Sequence, residues 1–294
     1  MSAATVFDRA LLRRRRVRAR ALGPETFLLE RVAADLAERL GAVLRQFDVA
    51  VDLGTPGDAL RHELADSAAI GTTFGASLLA HDDVSVVADE EALPFRDASL
   101  DLVVSALALQ FVNDLPGTLI QIRRALKPDG LFLAAMLGGD TLVELREAFA
   151  AAEAELEGGV SPHVAPFTDV REMGALLQRA GLALPVTDVD RLTVRYSSAV
   201  TLMAELRRMG ATNVLTERRR TPLRRATLAR LAEIYAQRFA DPDGRLRATF
   251  EIIWLSGWAP HESQQQPLRP GSAKSRLADA LGTLEIKTDD KAGN

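Results

Sequence analysis

The stretch from Val51 to Leu60, VDLGTPGDAL, brings an acid, two glycines and a helix-like run close together. Before it, FDVAVDLG (47–54) is a short apolar run ending at glycine, which suits a buried parallel strand. After it, DALRHELAD reads as a helix. A strand–turn–helix of this kind can hold a polar ligand. Backbone N–H groups at a helix start are unpaired, and Gly54 and Gly57 let a ligand approach the main chain. Asp52 can accept a hydrogen bond from a cationic amine, so a ligand with an amino-acid head fits better than a pyrophosphate. A loop of the form D-L-G-x-G-x-G would carry glycine at 54, 56 and 58. Here those positions are Gly54, Pro56 and Asp58, with Gly57 displaced. Glycine in such a turn also serves steric needs alone.

Two further positions extend the pattern. About 20 residues on, an acid at the end of the second strand would take ribose hydroxyls. There AAIGTTFGASLL offers Thr72 and Thr73, and a hydroxyl cannot make the charge-assisted contact of a carboxylate. After the third strand, ADEEALPF (88–95) places Asp89 to accept from an adenine amino group and the Glu90 N–H to donate to the adjacent ring nitrogen. Leu93, Pro94 and Phe95 would wall the ring; read alone, the same stretch is a solvated acidic turn before a proline. Together these features point to S-adenosylmethionine (SAM), held at Asp52, Gly54, Gly57, Thr73, Asp89 and Glu90. They also predict reduced affinity. Pro56 removes an N–H, Asp58 places charge near the ligand's carboxylate, and Thr73 replaces an acid. Losing a hydrogen bond to a charged group costs roughly 1.5–3 kcal/mol.

The elements that position these residues follow from periodicity. Residues 5–46 read as an N-terminal helical segment, in which Leu28, Leu29, Val32, Leu36 and Leu40 fall near helical spacing. SAAIGTTFG, VSVVADEE and SLDLVVSALALQFV read as the second to fourth strands. LPGTLIQIRRALKPDGLFLAAML reads as a helix, a Lys-Pro-Asp-Gly turn and a fifth strand. Strands alternating with helices predict an α/β fold with a mostly parallel sheet and helices on both faces. Beyond it, strands near 190 and 253 are expected to pair antiparallel at the edge, with helices at about 198–240 inserted between them. The expected organisation is a helical segment 1–46, a domain 47–262 and a partly mobile tail 263–294.

Composition narrows the partners. The net charge of −4 argues against a nucleic-acid partner. With no cysteine, thiolate catalysis and Cys-ligated zinc are excluded. No apolar run reaches the roughly 18 residues that span a bilayer. The Arg-rich start lacks the apolar core of a secretory signal, and reads as a transit peptide or, preferably, a basic helix of the mature protein. RRRRVRAR and ERRRTPLRR suit an acidic protein or a membrane surface, or a solvated helix face. His81 and Asp83 form an H-x-D, which reads as a polar turn in preference to a metal site; no metal is expected. No catalytic base is identified.

The order of these motifs resembles class I SAM-dependent methyltransferases, whose sheet has seven strands. More closely, FDRALLRRRRVRA, ADEEALPF, FVNDLPG, GGDTLVELR, SPHVAPFTDVREMGALLQRAGL and SGWAPHESQQQPLRPGSA resemble the family of the respiratory complex I assembly factor. That family is similar to the malonyl-carrier-protein methyltransferases of biotin synthesis. The resemblance implies a SAM cofactor and a protein substrate, a subunit of complex I, with arginine hydroxylation also associated with the family. It leaves open a non-catalytic assembly factor and a malonyl-carrier-protein O-methyltransferase. It implies the cytoplasm for a bacterial chain and the mitochondrial matrix for a eukaryotic one. Gln110 and Phe111 stand where His and Trp are common in the family.

Overall fold

The computed structural model describes residues 5–80, 84–265 and 282–283. Residues through Pro260 make one compact unit. His81, Asp83 and most of the expected tail lie outside the described residues.

Seven strands form one sheet in the order β3-β2-β1-β4-β5-β7-β6. They are β1 (Phe47–Leu53), β2 (Ile70–Ser77), β3 (Val86–Val87), β4 (Leu100–Ala106), β5 (Leu126–Leu137), β6 (Ala183–Tyr196) and β7 (Leu246–Trp258). The pairs from β3 through β5 are parallel. β7 runs antiparallel to both β5 and β6, so the expected antiparallel edge pair is present. This is the class I methyltransferase topology, and its strand order reverses between β1 and β4, where such sheets open a crevice.

Alternation along the strands builds two cores. Leu102, Val104 and Ala106 join Leu131, Leu133, Ile252 and Trp254 on one face, under α2 (Phe27–Gly41), α3 (Ala59–Ala65), α5 (Val143–Leu156), α7 (Ala199–Arg208) and α8 (Arg225–Phe239). Val103, Phe132, Ala134, Ile253 and Leu255 face the other way, under α4 (Leu115–Ala125) and α6 (Val170–Arg179). Burying both faces explains the nearly continuous apolar runs of β4 and β5. A third cluster, Phe7, Leu12, Phe111, Ala165, Val214 and Leu215, fixes α1 (Arg9–Ala21).

Two expectations shift. Lys127-Pro128-Asp129-Gly130 lies within β5 as a local irregularity, because Asp129 takes φ 64° and its N–H donates to the Ala259 carbonyl. A Cβ on Gly130 would sit 2.9 Å from the Lys127 carbonyl oxygen, so only glycine fits there. β2 runs to Ser77, later than the predicted strand, because Ala76 pairs with Leu53 at the end of β1.

Candidate functional site

The β1 loop is built around a buried charge pair. Asp52 is 1% exposed and accepts from Arg61 of α3 at 2.6 Å. Burial pushes its carboxyl up to about 6, against the opposing pull of Thr55 and Arg61. The Thr55 hydroxyl accepts from the Ala106 N–H, and the Ser105 hydroxyl donates to the Leu53 carbonyl, so the loop is tied to the exit of β4. Gly54 takes φ 74°, and a Cβ there would lie 2.5 Å from the Glu90 carboxylate. Gly57 takes φ 87° and faces open space.

The acidic loop after β3 packs against this turn. Arg9, from the first turn of α1, pairs with Asp89 at 2.7 Å and with the buried Glu90, and reaches Glu91 at 3.7 Å. The Thr118 hydroxyl holds the Glu90 carbonyl, and the Asn113 N–H donates to Glu91. The side-chain oxygen of Asn113 also accepts from the Val6 and Phe7 N–H groups. Asp114 caps α4 through the Gly117 N–H. The FVNDLPG stretch thus anchors the acidic loop, the N-terminal segment and a helix start together.

Beside these loops lies a cavity of about 460 Å³. Pro56, Gly57, Asp58, Ser77 and Leu107 line one part of it; Phe149, His163, Phe167 and Met203 line another. Of the six cofactor residues read from sequence, Gly57 alone lines it. Asp52, Gly54 and Glu90 are buried beside the loop: the two acids are bound to arginines, and Gly54 packs on Glu90. Asp89 is half-exposed, its Oδ1 taken by Arg9 and the Glu91 N–H. The sequence placement of Thr73 is corrected. It sits mid-strand opposite Ala50, and the residue at the end of β2 that lines the cavity is Ser77.

Sequence reading also missed a dyad. The His163 ring stacks on Phe149 with centroids 3.9 Å apart, and its Nε2 lies 2.8 Å from Glu153. Glu153 is fully buried. Burial raises its pKa, but His163, the Ser161 N–H and Arg219 outweigh this and hold the carboxyl below its usual range. The SPHVAPF motif was the available signal; its acidic partner lies on α5 and cannot be read locally. The second basic stretch is largely spent on internal pairs: Arg218 with Asp8, and Arg219 with Glu153 and Glu157. Among the described residues no cluster of three or more His, Asp or Glu side chains is arranged to hold a metal ion. No helix among them is long and apolar enough to cross a membrane.

The methyltransferase domain family model matches residues 33–134. The zebrafish protein named arginine-hydroxylase NDUFAF5, mitochondrial, is 38% identical over 97% of this chain and 92% of its own. The malonyl-[acyl-carrier protein] O-methyltransferase of Xylella fastidiosa is 40% identical over 60% of this chain and 57% of its own. A solved structure of a candidate methyltransferase from Bacillus halodurans superposes with a TM-score of 0.51 at 16% identity, covering 78% of this chain and 99% of its own, which bears on the fold alone. The sheet order, the loop at its switch point and a full-length relative at this identity agree: the chain belongs to the family of the arginine-hydroxylase NDUFAF5, built on a class I methyltransferase fold.

Proposed function

We propose that this protein binds SAM in the cavity and transfers its methyl group to a side chain of a partner protein, a subunit of respiratory complex I. One observation carries the reading: a single cavity joins the loop at the sheet's switch point, Pro56 to Asp58, to the His163–Glu153 dyad. The loop fits such a cofactor. Gly57 opens onto space a Cβ would occupy, Ser77 offers a hydroxyl, and Asp89 exposes part of its carboxylate. When bound, SAM supplies a methyl group on an activated sulfonium. The protein's part is alignment and proton removal. The apolar wall at Leu107, Phe149 and Phe167 excludes water from the acceptor. His163, with Nε2 held by the ionised Glu153, accepts the acceptor's proton at Nδ1.

The name of the zebrafish relative favours a second reading, hydroxylation of an arginine of the partner with dioxygen as oxidant and an external two-electron donor reducing its second oxygen atom to water. Two measurements test both. Calorimetric titration with SAM should give saturable binding; no binding would favour an assembly factor that does no chemistry. Mass spectrometry of complex I subunits from a deletion strain and its parent should then reveal a lost methyl group, or a lost oxygen atom under the second reading. Biotin auxotrophy of the deletion strain would instead support the malonyl-carrier-protein reaction.

A further inference from the structure

Helix α1 carries a buried charge that has no hydrogen-bonded or ion-paired partner among the described residues. Its inward stripe is Leu12, Arg16 and Ala19, so an arginine occupies a position that helical spacing reserves for an apolar residue. Arg16 is 8% exposed, and it lines the cavity that also holds Pro56, Gly57 and Asp58. Among the described residues it makes no hydrogen bond and no ion pair. Arg9, two turns earlier on the same face, is matched by Asp89, Glu90 and Glu91. Glu90 is committed to Arg9 and acts on Arg16 only at longer range. Burial lowers the Arg16 pKa, as expected for a cation taken from water without a partner. α1 packs beside Gly210, where a Cβ would be in ordinary van der Waals contact with Arg16 Cα and Cγ at 3.4 Å.

A buried guanidinium is tolerated where an anion meets it. We infer that Arg16 is the receptor for a carboxylate of the bound ligand, the α-carboxylate on the amino-acid end of the cofactor. The inference rests on the SAM reading above. Arg16 would form charge-assisted, forked bonds that select ligands bearing that carboxylate.

The test is calorimetry of the full chain with two probes, S-adenosylhomocysteine and 5′-methylthioadenosine, which lacks the aminocarboxypropyl carboxylate. Arg16→Gln should weaken the first by about tenfold to a hundredfold and leave the second within about twofold. Arg16→Lys should restore part of the loss. Without ligand, Arg16→Gln should melt no lower than wild type, because it removes an uncompensated charge; the melt also establishes that the variant folds. Equal loss for both probes, or no loss for either, overturns the carboxylate role and leaves SAM binding standing. Wild type binding neither probe overturns this inference and the SAM reading together. If S-adenosylhomocysteine binding is unchanged but acceptor affinity falls, the carboxylate belongs to the substrate and the assignment to the cofactor is wrong.

Discussion

Arg9 offers a sharp test of how the acidic loop is held. Its guanidinium is 15% exposed, the Glu90 carboxylate 2%, and Asp89 and Glu91 lie within 2.7 and 3.7 Å. Arg9→Ala leaves a buried carboxylate beside two others with no cation in contact, Arg16 acting on Glu90 only at longer range. Breaking a buried pair from one side costs about 3–5 kcal/mol, because the remaining charge stays out of water. The exposed pair Arg124–Asp97, at 56% and 65% exposure, is the control, and Arg124→Ala should cost at most about 1 kcal/mol. Replacing both buried partners, Arg9→Met with Glu90→Gln, removes both charges and should recover about 2 kcal/mol of the loss. Urea denaturation at neutral pH reads wild type and the four variants, Arg9→Met alone included, with unchanged m-values required for the comparison. If Arg9→Ala costs no more than Arg124→Ala, the pair is not effectively buried. If the double variant is no more stable than Arg9→Met alone, the loss reflects packing of the arginine stem, and the electrostatic argument fails.

Other outcomes follow from the same geometry. Asp52 has a folded pKa of about 6, above its ordinary value of 3.8, so the folded state binds the extra proton. Its ionisation therefore lowers stability as pH rises between those values, by roughly 3 kcal/mol in full. Measured by urea denaturation, Asp52→Asn should gain about 2–3 kcal/mol relative to wild type between about pH 4 and about pH 7.5; a constant difference would sink the assignment. Gly54→Ala meets both a left-handed φ and the Glu90 carboxylate and should cost more than about 2 kcal/mol, whereas Gly57→Ala meets only the backbone strain and should cost about 1 kcal/mol, as thermal melts would resolve. Glu153→Gln keeps the side-chain volume but removes a charge bonded to His163, Arg219 and the Ser161 N–H; chemical denaturation should show a loss of about 2 kcal/mol.

Much of this architecture was legible locally. Short, nearly continuous apolar runs such as Leu131–Leu137, alternating with helical segments, suit strands covered on both sides, and the glycine turn after β1 marks the crevice. Asp52, Gly54 and the DEEALPF loop were findable because the pattern is short and each residue acts close to where it stands in sequence. Residues whose roles depend on distant partners were not. Arg9 meets Glu90 across 81 positions, and Arg219 meets Glu153 across 66. Arg16 reads as one of four consecutive arginines until α1 is docked and its neighbours are seen to turn outward or find acceptors while it does not. Thr73 and Ser77 show the same division within one strand. Composition can say that a strand passes through both, but which residue comes last is decided by pairing with β1, where Leu53 meets Ala76 and the next residue enters the crevice. Sequence determined the sheet, its helices and the loop, since these rest on periodicity and backbone sterics. Tertiary structure decided which charges are paired, which buried charge has no partner among the described residues and which end of β2 reaches the cavity, since register and desolvation are properties of the packed chain alone.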